Sequence, residues 1–208
     1  MNSSARETYN LSFTGASLRP ELARVVAESY LALGRWDLVK ERVISTNALQ
    51  SRSRGGAERL EREMRRRLRN LTAEQLTKLA EATSDDRAAL TWLAFAKHVA
   101  FGFEFAAEVL RDKLAMHDPI LRHSDYETYV ELKSVSHVEL TQLSGTSRYK
   151  TRQVLMHILS EAGLLKDGDG LGVIERPVLS PSVRRVIVND DPRWLAGFLV
   201  PDAEIASL

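Results

Sequence analysis

Eight arginines crowd into residues 51–70: Arg52, Arg54, Arg59, Arg62, Arg65, Arg66, Arg67 and Arg69, opposed only by Glu58, Glu61 and Glu63. Guanidinium groups in such numbers suit one kind of chemistry, the forked, charge-assisted binding of phosphates and carboxylates. A second polar group, Ser147, Arg148, Tyr149, Lys150, Arg152 and Gln153, precedes an apolar stretch, and Lys166 follows it. Amides in such a group pair with base edges, while cations and helix N-termini meet phosphates.

Catalytic and metal chemistry have no comparable support. The 208 residues include no cysteine, which excludes a disulfide framework, a thiol nucleophile, an iron–sulfur cluster and Cys-ligated zinc. There is no Walker-type loop, no G-x-S-x-G, no H-E-x-x-H and no pair of carboxylates framed as acid and base. His117 and His123 flank Asp118 at a spacing that matches no common zinc motif. Trp92, Phe95, Phe101, Phe103 and Phe105 read as core, because base-stacking platforms sit among cations. A non-enzymatic protein with no cofactor, metal or small-molecule substrate is expected.

The net charge of +1 conceals an asymmetry. Residues 51–70 carry +5, whereas 71–123 carry −2, 124–163 carry −1 and 164–208 carry −2. One cationic cluster on a weakly acidic body favours a polyanionic partner.

The elements that must position these groups begin with a helix over 18–33, where Leu22, Val25, Val26, Tyr30 and Leu33 recur at helical spacing and Gly34 is the stop. A second helix spans 36–46. SRSRGG at 51–56 reads as a breaker-rich connection, and a third helix runs over 57–70. On that helix Arg59, Arg62, Arg65, Arg66 and Arg69 share a sector opposite Leu60, Met64 and Leu68, with Arg52 and Arg54 ahead on the loop. Pairing of Glu58 with Arg62, Glu61 with Arg65 and Glu63 with Arg67 accounts for three arginines as a solvated helix face, at roughly 0.2–0.5 kcal/mol a pair. The others are left for a phosphate.

Thr72 to Gln75 has capping-box form and opens a fourth helix. Helices from near Asp85 and Phe101 follow. The apolar tract Leu90 to Leu110 approaches the length of a membrane span, but Lys97, His98, Glu104 and Glu108 interrupt it, so it reads as two buried helices and no membrane partner is expected. MNSSARETYNLSF lacks the apolar region of a secretory signal, and a cytoplasmic location is expected.

Asp118-Pro119 marks a boundary between an all-α unit, 1–120, and a second unit, 121–208. In the second, capping boxes at Ser124–Glu127 and Ser136–Glu139 open two helices, Leu143–Thr146 makes a turn, and Ser147 caps a longer helix that stops at Gly163. Two apolar runs around Asp167-Gly168-Asp169-Gly170 predict a hairpin. Helix, short helix, turn, longer helix and hairpin is the order of a winged helix-turn-helix. Thr151, Val154, Leu155, Ile158, Leu159 and Ala162 face inward, opposite Tyr149, Gln153, Met156 and Ser160. Gln153 is the base-reading candidate; Arg148, Lys150, Arg152 and Lys166 are phosphate candidates, and Tyr149 suits either role. Winged helices also mediate protein contacts, and the local charge of −1 opposes strong non-specific binding by this unit unaided. Trp194, Leu195, Phe198 and Leu199 either pack back on the chain or clasp a second copy.

YNLSFTGASLRPELARVVAESYLALGRWDLVKERVISTNALQSRS, continuing through RLEREMRRRLRNLT and TWLAFAKHVAFGFEFAAEVLRDKL, resembles the BrxA family of bacterial BREX phage-resistance systems. The resemblance extends over essentially the whole chain and is plainest in SFTGASL, in Asn47 to Arg52, in Trp92-Leu93-Ala94 and in Phe105 to Leu110. It implies a mainly α protein: a helical N-terminal domain similar to the NusB antitermination fold, and a C-terminal winged helix with a small β-hairpin wing. It further implies double-stranded DNA as partner, in the company of other BREX subunits: a methyltransferase, a phosphatase-like protein and ATPases. The NusB likeness leaves RNA open as ligand. A protein-interaction scaffold and a transcriptional regulator are the other readings. The resemblance assigns no catalytic residue.

Overall fold

Pro20 and Gly34 set the limits of the first long helix. In the computed structural model, which describes residues 8–208, α1 (Pro20–Leu33) opens with a proline in its first turn, where a missing N–H costs nothing. It ends at Gly34, whose φ of 67° suits a residue without Cβ. α2 (Trp36–Ser45) follows directly. α3 (Arg54–Leu68) starts three residues earlier than its breaker-rich leader suggests, because Ser53 accepts a hydrogen bond from the N–H of Gly56 at 3.1 Å and draws both glycines into the first turn. Gly56 leaves room for the Ser51 side chain, whose Oγ would lie 2.6 Å from a Cβ and would have to turn away. At α4 (Ala73–Glu81) the Thr72–Gln75 capping box forms with both reciprocal bonds, 3.0 and 3.2 Å.

α5 (Ser84–His98) and α6 (Ala100–Glu104) divide the apolar tract, and α6 runs through a wide π-type turn at Phe105–Leu110 into α7 (Arg111–Ala115). Trp92, Phe95, Phe101 and Phe105 are fully buried, and Phe103 meets Trp194 edge-on. The tract is core, as its charges indicate. Among the described residues no helix is long and apolar enough to cross a membrane.

Asp118 fastens the end of α7 to β1 (Ile120–Leu121): it accepts from Arg122 at 2.6 Å and Lys113 at 2.7 Å, and these cations, Arg122 foremost, hold its carboxyl down to about 2. Next come α8 (His123–Ser134), α9 (Val138–Thr141) and α10 (Gly145–Glu161), then β2 (Leu165–Lys166) and β3 (Gly172–Ile174). The expected hairpin forms around Asp167–Gly170. β3 pairs on its other side with β1, in the antiparallel order β1-β3-β2, with Ile120 opposite Val173 and Leu165 opposite Ile174.

In the second unit three helix starts differ from the sequence expectation. At α8 it is Asp125 that accepts from the Arg122 N–H, at 2.7 Å, two residues ahead of the Ser124 box. α9 has no side-chain cap, because Ser136 turns back to the Lys133 carbonyl and Glu139 accepts from the N–H of Tyr9 at 2.6 Å. Ser144, not Ser147, caps α10, accepting from the Ser147 N–H at 3.2 Å. Gly145 and Thr146 already belong to the helix, which leaves Ser147 at its third position.

Residues 181–205, grouped on sequence with the second unit, lie against the first. α11 (Pro181–Val188) and the 3-10 segment Pro192–Phe198 bury Val183, Ile187, Leu195 and Phe198 beside α4 and α5, and α12 (Asp202–Ile205) follows. Gln75 Nε2 donates to the Val186 carbonyl at 2.9 Å, Trp92 Nε1 to Gly197 at 3.0 Å, and Lys97 lies 2.7 Å from Asp190. The apolar tail therefore packs back on its own chain. A single continuous core runs from Tyr9 to Val200.

Candidate nucleic-acid interface

α3 sorts its arginines by which carboxylates lie beneath them. Arg67, 1% exposed, points into the protein and donates to the carbonyls of Ala16 and Ser17, both at 2.7 Å, with Glu63 at 3.9 Å. Burial pulls its guanidinium down to about 10. Fully buried Glu61 takes Arg65 at 2.7 Å, and Glu63 reaches Arg66 at 3.6 Å. Glu58 turns to Arg54 at 3.1 Å and not to Arg62, so two of the three expected pairs form and the third is exchanged. Arg52, Arg59, Arg62 and Arg69 stand exposed, with no carboxylate partner among the described residues. Arg69 also lies over the Trp36 ring, 5.7 Å from its centre.

α10 presents a mixed polar face. Ser147, Tyr149, Lys150 and Gln153 are exposed and Arg148 is half-buried, while Thr151, Leu155, Ile158, Leu159 and Ala162 are buried. Met156, expected outward, packs partly against the core. Arg152 is drawn back to Glu127 of α8 at 2.8 Å, its guanidinium lying over the ring of Tyr149. Lys166 on the hairpin is paired with Glu175 at 2.7 Å. A phosphate approaching Arg152 or Lys166 has to displace a carboxylate, whereas Arg148 and Lys150 are unencumbered among the described residues.

A turn between Phe13 and Arg19 joins the two surfaces. Arg67 grips its carbonyls from α3, and Glu161 at the end of α10 accepts from the N–H groups of Leu18 (2.5 Å) and Arg19 (3.3 Å) and from Ser17 Oγ (3.3 Å). This brings in a cation that sequence reasoning passed over: Arg19, exposed and unpaired among the described residues, beside Arg52 and Arg59. Charge counting hid it in the near-neutral first fifty residues, and no local motif marks it. Among the described residues no group of three or more His, Asp or Glu side chains is placed to hold a metal.

These features define a small, mainly helical protein with a three-stranded sheet and an uncompensated arginine face. The chain belongs to the BrxA family, whose model matches residues 7–191. It is 28% identical over 145 residues to the BREX protein BrxA of Bacillus cereus (strain H3081.97), covering 70% of this chain and 72% of that protein. It is 28% identical over 149 residues to the BREX protein BrxA of Escherichia coli O9:H4 (strain HS), covering 72% and 70%. Its fold is similar to the crystal structure of an uncharacterized protein from Magnetospirillum magneticum, with a TM-score of 0.80 at 20% identity, over 93% of this chain and 98% of that one.

Proposed function

We propose that this protein is a non-enzymatic accessory component of a BREX defence system that binds double-stranded DNA. The observation that carries the reading is the exposed set Arg52, Arg59, Arg62 and Arg69, four guanidinium groups without carboxylate partners on one end and face of α3. Desolvating four unpaired cations against protein is costly, and phosphates are the partners their geometry suits. In this reading the first helices form a NusB-like bundle. β1, α8–α10 and the β2–β3 hairpin then form a winged helix-turn-helix, with α10 in the major groove and Gln153 aimed at base edges. Membership of the BrxA family, with relatives named as BREX proteins, supports the system to which it is assigned.

The test is anisotropy titration of the purified protein against a random duplex and a matched single-stranded RNA, each at two salt concentrations. Each phosphate contact contributes about 0.9 to the salt slope, so Arg59, Arg62 and Arg69 changed together to Ala should lower it by about 3. An unchanged slope and affinity would remove α3 from the interface, and tighter binding to RNA would replace the duplex as ligand. One observation favours a second reading, a docking scaffold for other BREX subunits: Leu132, Val135 and Val138 are all exposed at the α8–α9 corner. Failure to bind either nucleic acid at low salt would transfer the weight there.

A further inference from the structure

Three arginines from three separate elements converge on one cleft. Arg19 comes from the turn ahead of α1, Arg52 from the loop ahead of α3 and Arg59 from the second turn of α3; together with Gln50, Gly56 and Leu60 they line a cavity of about 410 Å³. No carboxylate lines it, and none of the three arginines forms an ion pair among the described residues. The neighbouring cleft that shares Arg52, about 750 Å³, sets Asp37, Glu41 and Glu58 against Lys40, Arg52 and Arg54, so its charges balance and it lacks the one-sign lining of the first. Like charges brought together in a concavity focus a positive potential that only an anion relieves.

We propose that this cleft is a phosphate seat. Its construction favours that ligand over a carboxylate-bearing protein segment. Three forked guanidiniums arriving from different directions match the several oxygens of a phosphate better than the two of a carboxylate. Two lining residues, Arg19 at φ 50° and Gln50 at φ 51°, hold the left-handed conformation that non-glycine residues seldom take.

The seat also lies at the end of the α10 surface. Tyr149, Gln153, His157 and Glu161 form an i+4 row along that helix, and Glu161 binds the N–H of Arg19. At 1.5 Å per residue, Gln153 is about 12 Å along the axis from Glu161. A duplex lying along α10 is thus led toward the cleft, and its backbone is the phosphate source the row favours. For that source the inference rests on the duplex-binding reading; for the seat itself it does not.

The experiment compares wild type with the double variant Arg19→Gln, Arg52→Gln, both positions being exposed, and confirms folding by thermal melting. Against the random duplex, loss of two phosphate contacts should lower the salt slope by about 2 and shrink the affinity ratio between low and fourfold higher salt by about tenfold. If wild type binds duplex and the variant matches it in affinity and slope, the seat is overturned while duplex binding stands. If wild type does not bind duplex, calorimetric titration with inorganic pyrophosphate decides. Binding by wild type that the variant loses keeps the seat, with free phosphate esters as its source, and absence of binding by wild type overturns it. Should the double variant fail to fold, Arg52→Gln alone, on the loop, should lower the slope by about 1.

Discussion

The carboxylate of Glu161, in the last turn of α10, accepts a hydrogen bond from the backbone N–H of Leu18 at 2.5 Å, across 143 residues of sequence. It also accepts from the N–H of Arg19 at 3.3 Å, the N-cap residue of α1, whose own side chain makes no capping bond. One carboxylate therefore satisfies the approach to α1 and fixes the end of α10 beside the arginine helix.

Replacing Glu161 by Ala should cost about 1.5–3 kcal/mol, the range for hydrogen bonds to a charged group. Glu161→Gln, which retains an acceptor, should cost less. Urea denaturation measures both, and a wild-type midpoint for the Ala variant would show that water replaces the clamp without loss.

Arg67 is predicted to matter for folding, not for ligand. Arg67→Ala strips the buried carbonyls of Ala16 and Ser17 of their donor and leaves largely buried Glu63 with Arg66 alone, at 3.6 Å. A loss of about 3–5 kcal/mol is expected, as when one partner of a buried pair is removed. Arg62→Ala, at an exposed site, should stay within about 0.5 kcal/mol. Equal denaturant midpoints for the two variants would contradict the sorting of the α3 arginines.

Alkaline pH should unfold the protein through its buried phenols. Burial pushes the pKa of the Tyr9, Tyr126 and Tyr129 phenols up, with the Glu104 carboxylate reinforcing the rise at Tyr9, and Tyr129 donates to the Phe101 carbonyl at 2.9 Å. Unfolded tyrosine ionises near pH 10, so the unfolded state releases protons that the folded state keeps. Their stabilisation is complete below about pH 9 and falls above 10, by about 1.4 kcal/mol per pH unit for each phenol. Arg67 runs the other way, since its guanidinium is lowered to about 10 and losing the proton there relieves a buried charge, but it is one group against three. Denaturation midpoints from neutral pH to 11 should decline, and Tyr129→Phe should flatten the decline. A flat wild-type profile would refute this.

On the duplex-binding reading, Gln153→Ala and Lys150→Ala should have different signatures. The first should relax preference at one base position, where a good amide pair discriminates by about 1–3 kcal/mol. The second should weaken all sequences alike and lower the salt slope by about 1. Selection from a randomised duplex pool separates them, and an unchanged preference in the first variant removes Gln153 as a reader. Glu127→Gln should tighten binding, because it releases Arg152 from its 2.8 Å partner.

Much of this protein was legible one helical turn at a time. The Thr72–Gln75 capping box, the stop at Gly34, the hairpin around Asp167–Gly170 and the inward face of α10 are written in residues no more than a few positions apart, where propensity and periodicity act. Even the misplaced caps, Ser144 for Ser147 and Asp125 for the Ser124 box, are shifts of a few residues within a correct helix.

What the sequence by itself determined was thus the helical framework, the hairpin, and the presence of two polar surfaces on separate helices. Which cations remain free on those surfaces was decided only by tertiary structure. Arg67 is bonded to carbonyls 50 and 51 positions away, Arg152 to a carboxylate 25 away, and Arg19 joins Arg52 and Arg59 because Arg67 of α3 and Glu161 of α10 hold the turn ahead of α1. The physical reason is that hydrogen-bonded structure forms between near neighbours, whereas charge is neutralised by whichever carboxylate or carbonyl packing brings within reach.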